Sequence, residues 1–464
     1  MSGGTYRRGL AYVAQVFDDP LLAPLRRLAG ALIVAAGPWL VAIAGLTLVS
    51  GHLKSQLGHA ATEDLRLAVV YAFALAPLAA AAPGMLAARS IARGGATRDL
   101  VRALFLVASG LGGAGGMALA ALASAALGLG GLWLSLVFLT AASAVMWVGF
   151  AVLAALREHR YLVLVFCIGM ALSFALAVLT AGGRPTVDRV LWSITTGVAA
   201  CAGLLMARVS AAAGSAPDLA AGWTALRAEG RFSPALALGA VLAMLGVWAD
   251  KLFYWFGPEG MRTASGLRHF ADYDSVMFLA HLSVVPSLAA LLALHEGPVR
   301  RGMARFLHAL EARKTRAALR EEVRSLSRLT LGGVQAILLV QLALSAAFIL
   351  MAPMMLSGAG MRLDQYLLLR TGLLGAFVHA VFLAASAVLV LCNRKWHFLA
   401  LQVLFLGANL GLSLFFYIVM GVTAYGFVFA SFLSAAVAVP LAAAALENLD
   451  KLHLMVENDH IFSC

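Results

Sequence analysis

The chain has 464 residues, 62% of them hydrophobic and only 12% charged, against about 25% charged in an ordinary soluble domain. That composition, with a mean hydropathy of +0.91, excludes a string of water-facing domains. The formal charge of +12 would suit a nucleic-acid partner. In a membrane protein, however, basic residues gather in cytoplasmic loops beside the anionic inner leaflet, and no nucleic-acid partner is expected.

A helix needs about 20 mostly apolar residues to cross roughly 30 Å of hydrocarbon. After a leader segment, 1–27, twelve stretches qualify: 28–50, 66–88, 101–127, 131–155, 161–181, 189–208, 234–256, 275–295, 331–355, 365–391, 397–419 and 423–446. The first is long enough to span and lacks a cleavage site, so it is expected to stay as a helix. A Gly/Ala-rich stretch around Gly128–Gly131 nearly merges the third and fourth. The fold class is therefore an all-α membrane protein of about twelve transmembrane helices.

Basic residues set the orientation. With the N-terminus inside, twenty-five lysines and arginines fall in cytoplasmic segments or at their edges and eight in or beside outer loops, and Lys251 alone lies deep within a span. This bias follows the positive-inside rule and places both termini in the cytoplasm.

The polar segment 209–233 divides the spans into two groups of six, 28–208 and 234–446, as expected of a transporter made of two related halves; 447–464 forms a cytoplasmic tail. A second polar segment, 297–330, carries nine basic residues and three acids, Glu311, Glu321 and Glu322. Val299, Met303, Phe306, Leu307 and Leu310 recur at helical spacing, so it reads as one amphipathic helix, on anionic lipid or against a cytoplasmic partner. Arg313, Lys314, Arg316 and Arg320 are the candidate docking residues.

Ionisable side chains are costly inside a bilayer and usually face a cavity or a partner. The seventh span ends in Trp248-Ala249-Asp250-Lys251-Leu252-Phe253-Tyr254-Trp255-Phe256, and Asp250 is the one acid well inside any assigned span. Helical spacing lets Asp250 meet Tyr254 and Lys251 lie against Trp255 in a cation–π contact. This cluster reads as a sugar-contacting platform, a charge switch or an interfacial ion pair. Asp272, Tyr273 and Asp274, in the following loop, could join the same outer vestibule. His281, Gln335, Gln341, His379 and Asn409 are expected mainly as helix–helix hydrogen bonds. Gly37, Pro38 and Pro286 are candidate hinges.

The four cysteines, Cys167, Cys201, Cys392 and Cys464, have neither metal spacing nor a disulfide pattern. The sequence has no phosphate-binding G-x-x-x-x-G-K-[ST] loop, no nucleophile triad and no soluble domain of glycosyltransferase size. No metal, cofactor or catalytic residue is expected, and movement of a substrate is favoured over its chemical change.

Several segments resemble the PelG family, inner-membrane transporters of the bacterial Pel exopolysaccharide system, within the flippase group that includes multidrug antiporters. They are Leu25-Arg26-Arg27 leading into Ala36-Gly37-Pro38-Trp39-Leu40, Trp248-Ala249-Asp250-Lys251, Tyr273-Asp274-Ser275 running to Met277-Phe278-Leu279-Ala280 and Pro286, and Tyr425-Gly426-Phe427. The resemblance is strongest from about Gly246 to Glu296 and weakest in the third and fourth spans. It implies a MATE-like fold of two six-helix bundles in a V around a central cavity. It also implies export of a growing N-acetylgalactosamine-rich polymer, with a PelF-like glycosyltransferase and PelD- and PelE-like membrane partners. A lipid-linked oligosaccharide flippase, an ion-coupled small-molecule exporter and a non-transporting scaffold for the synthase are the competing readings.

Overall fold

The computed structural model describes residues 43–93, 96–180, 185–211, 216–358, 362 and 365–449. Most of the first assigned span, with Gly37 and Pro38, lies outside them, as do Leu25–Arg27 and Cys464. The elements in chain order are α1 (43–57), α2 (His59–Ala92), α3 (Arg98–Leu127), α4 (Trp133–Ala155), α5 (His159–Thr180), α6 (Val187–Ser210), α7 (Leu219–Phe232) and α8 (Pro234–Phe256). A two-stranded hairpin, β1 (Met261–Arg262) and β2 (Arg268–His269), follows. Then come α9 (Ala271–Leu282), α10 (Val285–Leu294), a π turn (His295–Val299), α11 (Arg300–Glu311), α12 (Arg316–Gly358), α13 (Tyr366–Leu391), α14 (Lys395–Met420) and α15 (Tyr425–Glu447).

Eleven helices or helix runs among the described residues are long and apolar enough to cross a membrane, and they match the second to twelfth assigned spans one for one. Only helices can cross singly, because each satisfies its own backbone polar groups where no water is available. Apolar side chains such as Leu339, Leu350, Met354, Phe432 and Ile418 stay exposed on the outer surface, where lipid replaces water as the neighbour.

The sequence leaves the third and fourth spans nearly continuous; the structure separates them. Gly128 takes a left-handed φ of 66°, and its N–H and that of Leu129 bond back to Ala125 and Ser124, closing α3. Small residues then let α3 approach α4: a Cβ on Gly116 would lie 3.1 Å from both Ala144 Cβ and Thr140 O. One apolar cluster joins α2 to α6, and a second joins α8, α9 and α11 to α15. Helix α8 packs against α14 on one side and α2 on the other, forming a seam between the two groups.

Two expectations need correction. The segment 297–330 is not one amphipathic helix but a helical hairpin. Arg313 adopts φ 47°, its N–H bonds Leu310 O and the Lys314 N–H bonds Ala309 O, so α11 stops and the chain turns into α12. Phe306 and Ala309 of α11 are buried with Leu319, Val323 and Leu326 of α12, so most of the apolar stripe is spent inside the hairpin. The eighth span is broken beside the candidate hinge Pro286. Pro286 sits in the first turn of α10 and has no N–H to give the residue before the break, while the Ser287 N–H turns to Val284 O. Gln341 of α12 donates to the freed Ser283 carbonyl at 3.2 Å, and its own carbonyl accepts from Ser287 Oγ. Finally, Asp272, Tyr273 and Asp274 are not loop residues but lie in the first turn of α9.

Candidate functional site

Helix α8 presents two chemically different faces. Asp250 looks toward α9 and α14 and is fully buried. It accepts a 2.6 Å hydrogen bond from the Tyr273 hydroxyl and a longer one, 3.5 Å, from Asn409 Nδ2, which also donates to Gly246 O. Lys251 folds back along the helix, with Nζ 3.2 Å from both Asp250 oxygens and from Val247 O. The two charges therefore pair, although their Cα atoms project in different directions. A buried carboxylate with a cation, a phenol and an amide around it has its charge compensated.

The expected partners are otherwise exchanged. Tyr254 does not bond Asp250; its hydroxyl donates to Thr423 O at 2.8 Å and its ring packs on Tyr273. Lys251 does not lie on Trp255 but 5.8 Å from the ring centre of Phe427 on α15. His281 and His379 also pack on Phe427, so both histidines share the interior that holds Lys251. His281 Nδ1 lies 2.7 Å from Met277 O. Gln335 is exposed on α12, and Asp272 accepts from Gln365 at 3.2 Å.

The opposite face of α8 carries Trp248, Leu252 and Trp255 at helical spacing and points across the seam. The Trp255 indole N–H donates to both oxygens of Asp274, at 2.9 and 2.8 Å. Its ring meets Tyr71 of α2, centroids 5.0 Å apart, and Trp248, centroids 5.9 Å apart. These rings and Phe256 line a partly open cavity of about 150 Å³, bounded on the other side by Ala74, Leu78, Ala123 and Leu127 of α2 and α3.

The seam is bridged at both ends. At the hairpin end, Tyr71 donates to Arg268 O and Arg262 Nη2 to Leu127 O, both at 2.8 Å. Ser265 donates to Asp64, a carboxylate buried in the first turns of α2. That acid escaped the sequence reading because α2 begins at His59, seven residues before the assigned span. At the other end, here termed the basic end, Glu229 of α7 is 4% exposed and pairs with Arg89 at 3.1 Å and Arg93 at 2.7 Å. Arg89 also donates to Asn393 at the end of α13, and Lys395 of α14 donates to Phe232 O at 2.9 Å. The Phe232 ring lies under both Lys395 and Arg93, at 3.6 and 4.3 Å. A signal for Glu229 existed: Gly222, Leu226 and Glu229, the buried positions of α7, recur at helical spacing, and an acid on an otherwise apolar stripe invites a partner.

Residues 17–453 match the PelG family, described as an exopolysaccharide exporter (EPS-E). The chain belongs to that family. No curated protein matches it. Among solved structures, it is similar to a multidrug resistance MATE family transporter of the MOP superfamily in an outward-facing conformation. That pair shares 16% identity over 91% of this chain and 96% of the other, with a TM-score of 0.63. The inward-facing conformation of a MATE family transporter of the same superfamily gives 16% identity, 91% and 95% coverage and a TM-score of 0.55. A MATE protein in a bent conformation gives 17%, 94% and 97%, and 0.62. The fold is thus that of a MATE-like membrane transporter, as the PelG resemblance implies.

Proposed function

We propose that the chain exports a growing, N-acetylgalactosamine-rich exopolysaccharide from cytoplasm to periplasm across a bacterial inner membrane, along the seam between its two groups of helices. Membership of an exopolysaccharide exporter family and a transporter fold support the general activity. The observation that carries the route is the seam itself, bridged at both ends around an aromatic-lined cavity. A path closed at both ends has to open by relative movement of the two groups, the rigid-body behaviour expected of transporters built from repeats. On this reading the basic end faces the cytoplasm and the hairpin end the periplasm, in keeping with the distribution of arginine and lysine.

The polymer would arrive from a PelF-like glycosyltransferase, with PelD- and PelE-like proteins completing the complex. The α11–α12 hairpin suits that docking, because its apolar stripe is already buried while Arg313, Lys314, Arg316 and Arg320 stay exposed at and just beyond its turn. The charged cluster at Asp250 and Lys251 is then an internal tie that fixes α8 against α9 and α14, and the opposite face of the same helix meets the substrate.

Complementation tests the reading. In a Pel-producing bacterium lacking its own exporter, this chain together with its native partners should restore extracellular polymer. Normal membrane insertion without polymer would overturn the assignment. Replacing the four docking residues by serine should reduce co-purification of the glycosyltransferase while leaving insertion unchanged; undiminished co-purification would remove the docking role.

A further inference from the structure

We propose that the basic end is a headgroup site for an anionic phospholipid, whose phosphate bridges the two groups of helices through Arg93 and Lys395. The site is independent of the cargo and rests only on the orientation that puts this end in the cytoplasmic leaflet. The first observation is unbalanced charge. Arg89, Arg93 and Lys395 converge on one carboxylate, Glu229, and both of its oxygens are already paired with the arginines. Lys395 has no acidic partner among the described residues, and its hydrogen bond goes to Phe232 O. An excess of two positive charges therefore sits where α2, α7 and α14 meet.

The second observation is geometric. Arg93 and Lys395 lie 4.3 and 3.6 Å from the centre of the same Phe232 ring, which keeps them within about 8 Å of each other. Charge-assisted hydrogen bonds to a phosphate are about 2.8 Å long, and a phosphodiester accepts on two non-bridging oxygens. One headgroup can thus reach both cations and relieve their mutual repulsion.

The third observation separates a lipid from a soluble phosphate. Trp396, next to Lys395 at the start of α14, is 67% exposed, and Val403, Leu410 and Leu414 continue from it as an exposed apolar stripe at helical spacing. Phe232 is exposed as well. Tryptophan at the end of a span marks headgroup depth, and basic pockets between spans on the cytoplasmic side hold anionic headgroups. A bound lipid places its phosphate on Arg93 and Lys395 and an acyl chain along the α14 stripe, which a free phosphate leaves unused. The consequence is regulatory. A headgroup bonded to α2 and α14 at once adds a further tie across the seam, so anionic lipid favours the state closed at the basic end.

The test uses the full chain in phosphatidylcholine nanodiscs into which phosphatidylglycerol is introduced, with native mass spectrometry counting the lipid retained. The parent should retain phosphatidylglycerol in preference to phosphatidylcholine. Lys395→Gln should lower that retention about fivefold, the factor for one basic residue at an anionic surface, and Lys395→Arg should restore most of it. Trp396→Ala, at an exposed position that leaves the fold undisturbed, should also lower it. Arg227→Gln removes an exposed charge of α7 outside the cluster and should change nothing. Retention equal to the parent's in both Lys395→Gln and Trp396→Ala would overturn the site. A loss in Arg227→Gln as large as in Lys395→Gln would replace it with diffuse attraction to the whole basic face. A second arm follows hydrogen exchange over 219–232 with phosphatidylglycerol in the disc or with inorganic phosphate added to phosphatidylcholine discs. Slowing by the lipid alone is expected, and equal slowing by phosphate would make this a free-anion site and overturn the lipid assignment. Neither arm measures polymer, so failure of the export reading leaves both outcomes intact.

Discussion

At the basic end the seam is held by charge; at the hairpin end it is held largely by hydrogen bonds. Glu229 is buried between two guanidinium groups, and Phe232 lies under two cations, so charge and aromatic faces do the joining. The hairpin end joins through the carbonyls of Arg268 and Leu127 and two side-chain carboxylates of α2, Asp64, which accepts from Ser265, and Glu63, 3.2 Å from His269 Nε2. The difference matters for opening. Separating a buried ion pair strands charge unless water replaces the partner, so the basic end must hydrate as it parts. The hairpin is a small preformed unit, and its bonds across the seam mostly join one charged group to a neutral partner (Arg262 to Leu127 O, Ser265 to Asp64), so lifting it away separates no arginine–carboxylate pair.

The comparison breaks most sharply at Glu229. Glu229→Ala leaves Arg89 and Arg93 facing each other without their counter-charge and should cost about 3 kcal/mol, the lower end for breaking a buried pair because Arg93 is partly exposed. It should be measured as a drop in melting temperature in nanodiscs, with Glu229→Gln falling less. Equal losses for the two variants would mean that shape, and not charge, holds this end.

At the other end, Gly266→Val is the matching lesion. Gly266 has φ 100°, and a Cβ there would lie 3.0 Å from Leu127 O, so strain and a clash coincide in the hairpin turn. About 1–2 kcal/mol is expected, seen as faster hydrogen exchange confined to 261–269. Exchange that instead rises at the basic end would show the two closures to be coupled.

These sites also mark how far the sequence could be read. Eleven spans were legible because each needs only length and apolarity, and neither depends on its neighbours. The break at Ala312 was not legible, because Arg313 takes a backbone conformation that glycine usually signals. The Asp250 cluster was found in the right helix from its charges alone. Its partners were misassigned because helical spacing describes one helix, while Tyr273 and Asn409 arrive from α9 and α14. Tyr71, which orients a cavity wall, lies in a stretch of α2 whose composition is otherwise that of any apolar span. No residue pattern marks it, and only the packing of α2 against α8 gives it a role.

Tyr71→Phe is a gentler lesion of the hairpin end. The ring and its contact with Trp255 persist while the bond to Arg268 O is lost. The expected cost is about 1 kcal/mol, read as a small drop in melting temperature in nanodiscs. An unchanged melting temperature would show that the Tyr71 hydroxyl adds nothing to this closure.

The smallest effect expected is that of salt. Raising ionic strength from 0.15 M to 1 M shortens the Debye length from about 8 Å to about 3 Å, which weakens interactions among exposed charges and leaves neutral hydrogen bonds nearly unchanged. Arg93 is partly exposed, and Phe232 with its two cations lies at the protein surface, so the basic end should loosen. The buried Arg89–Glu229 pair should resist, which keeps the change small. Hydrogen exchange over 219–232 should therefore rise by less than about threefold, and by less still over 261–269, since screened surface pairs are worth well under 1 kcal/mol each. Equal acceleration at both ends would mean that salt acts on the seam as a whole, and the contrast between a closure built on arginine–carboxylate pairs and one built mainly on hydrogen bonds would lose its energetic basis.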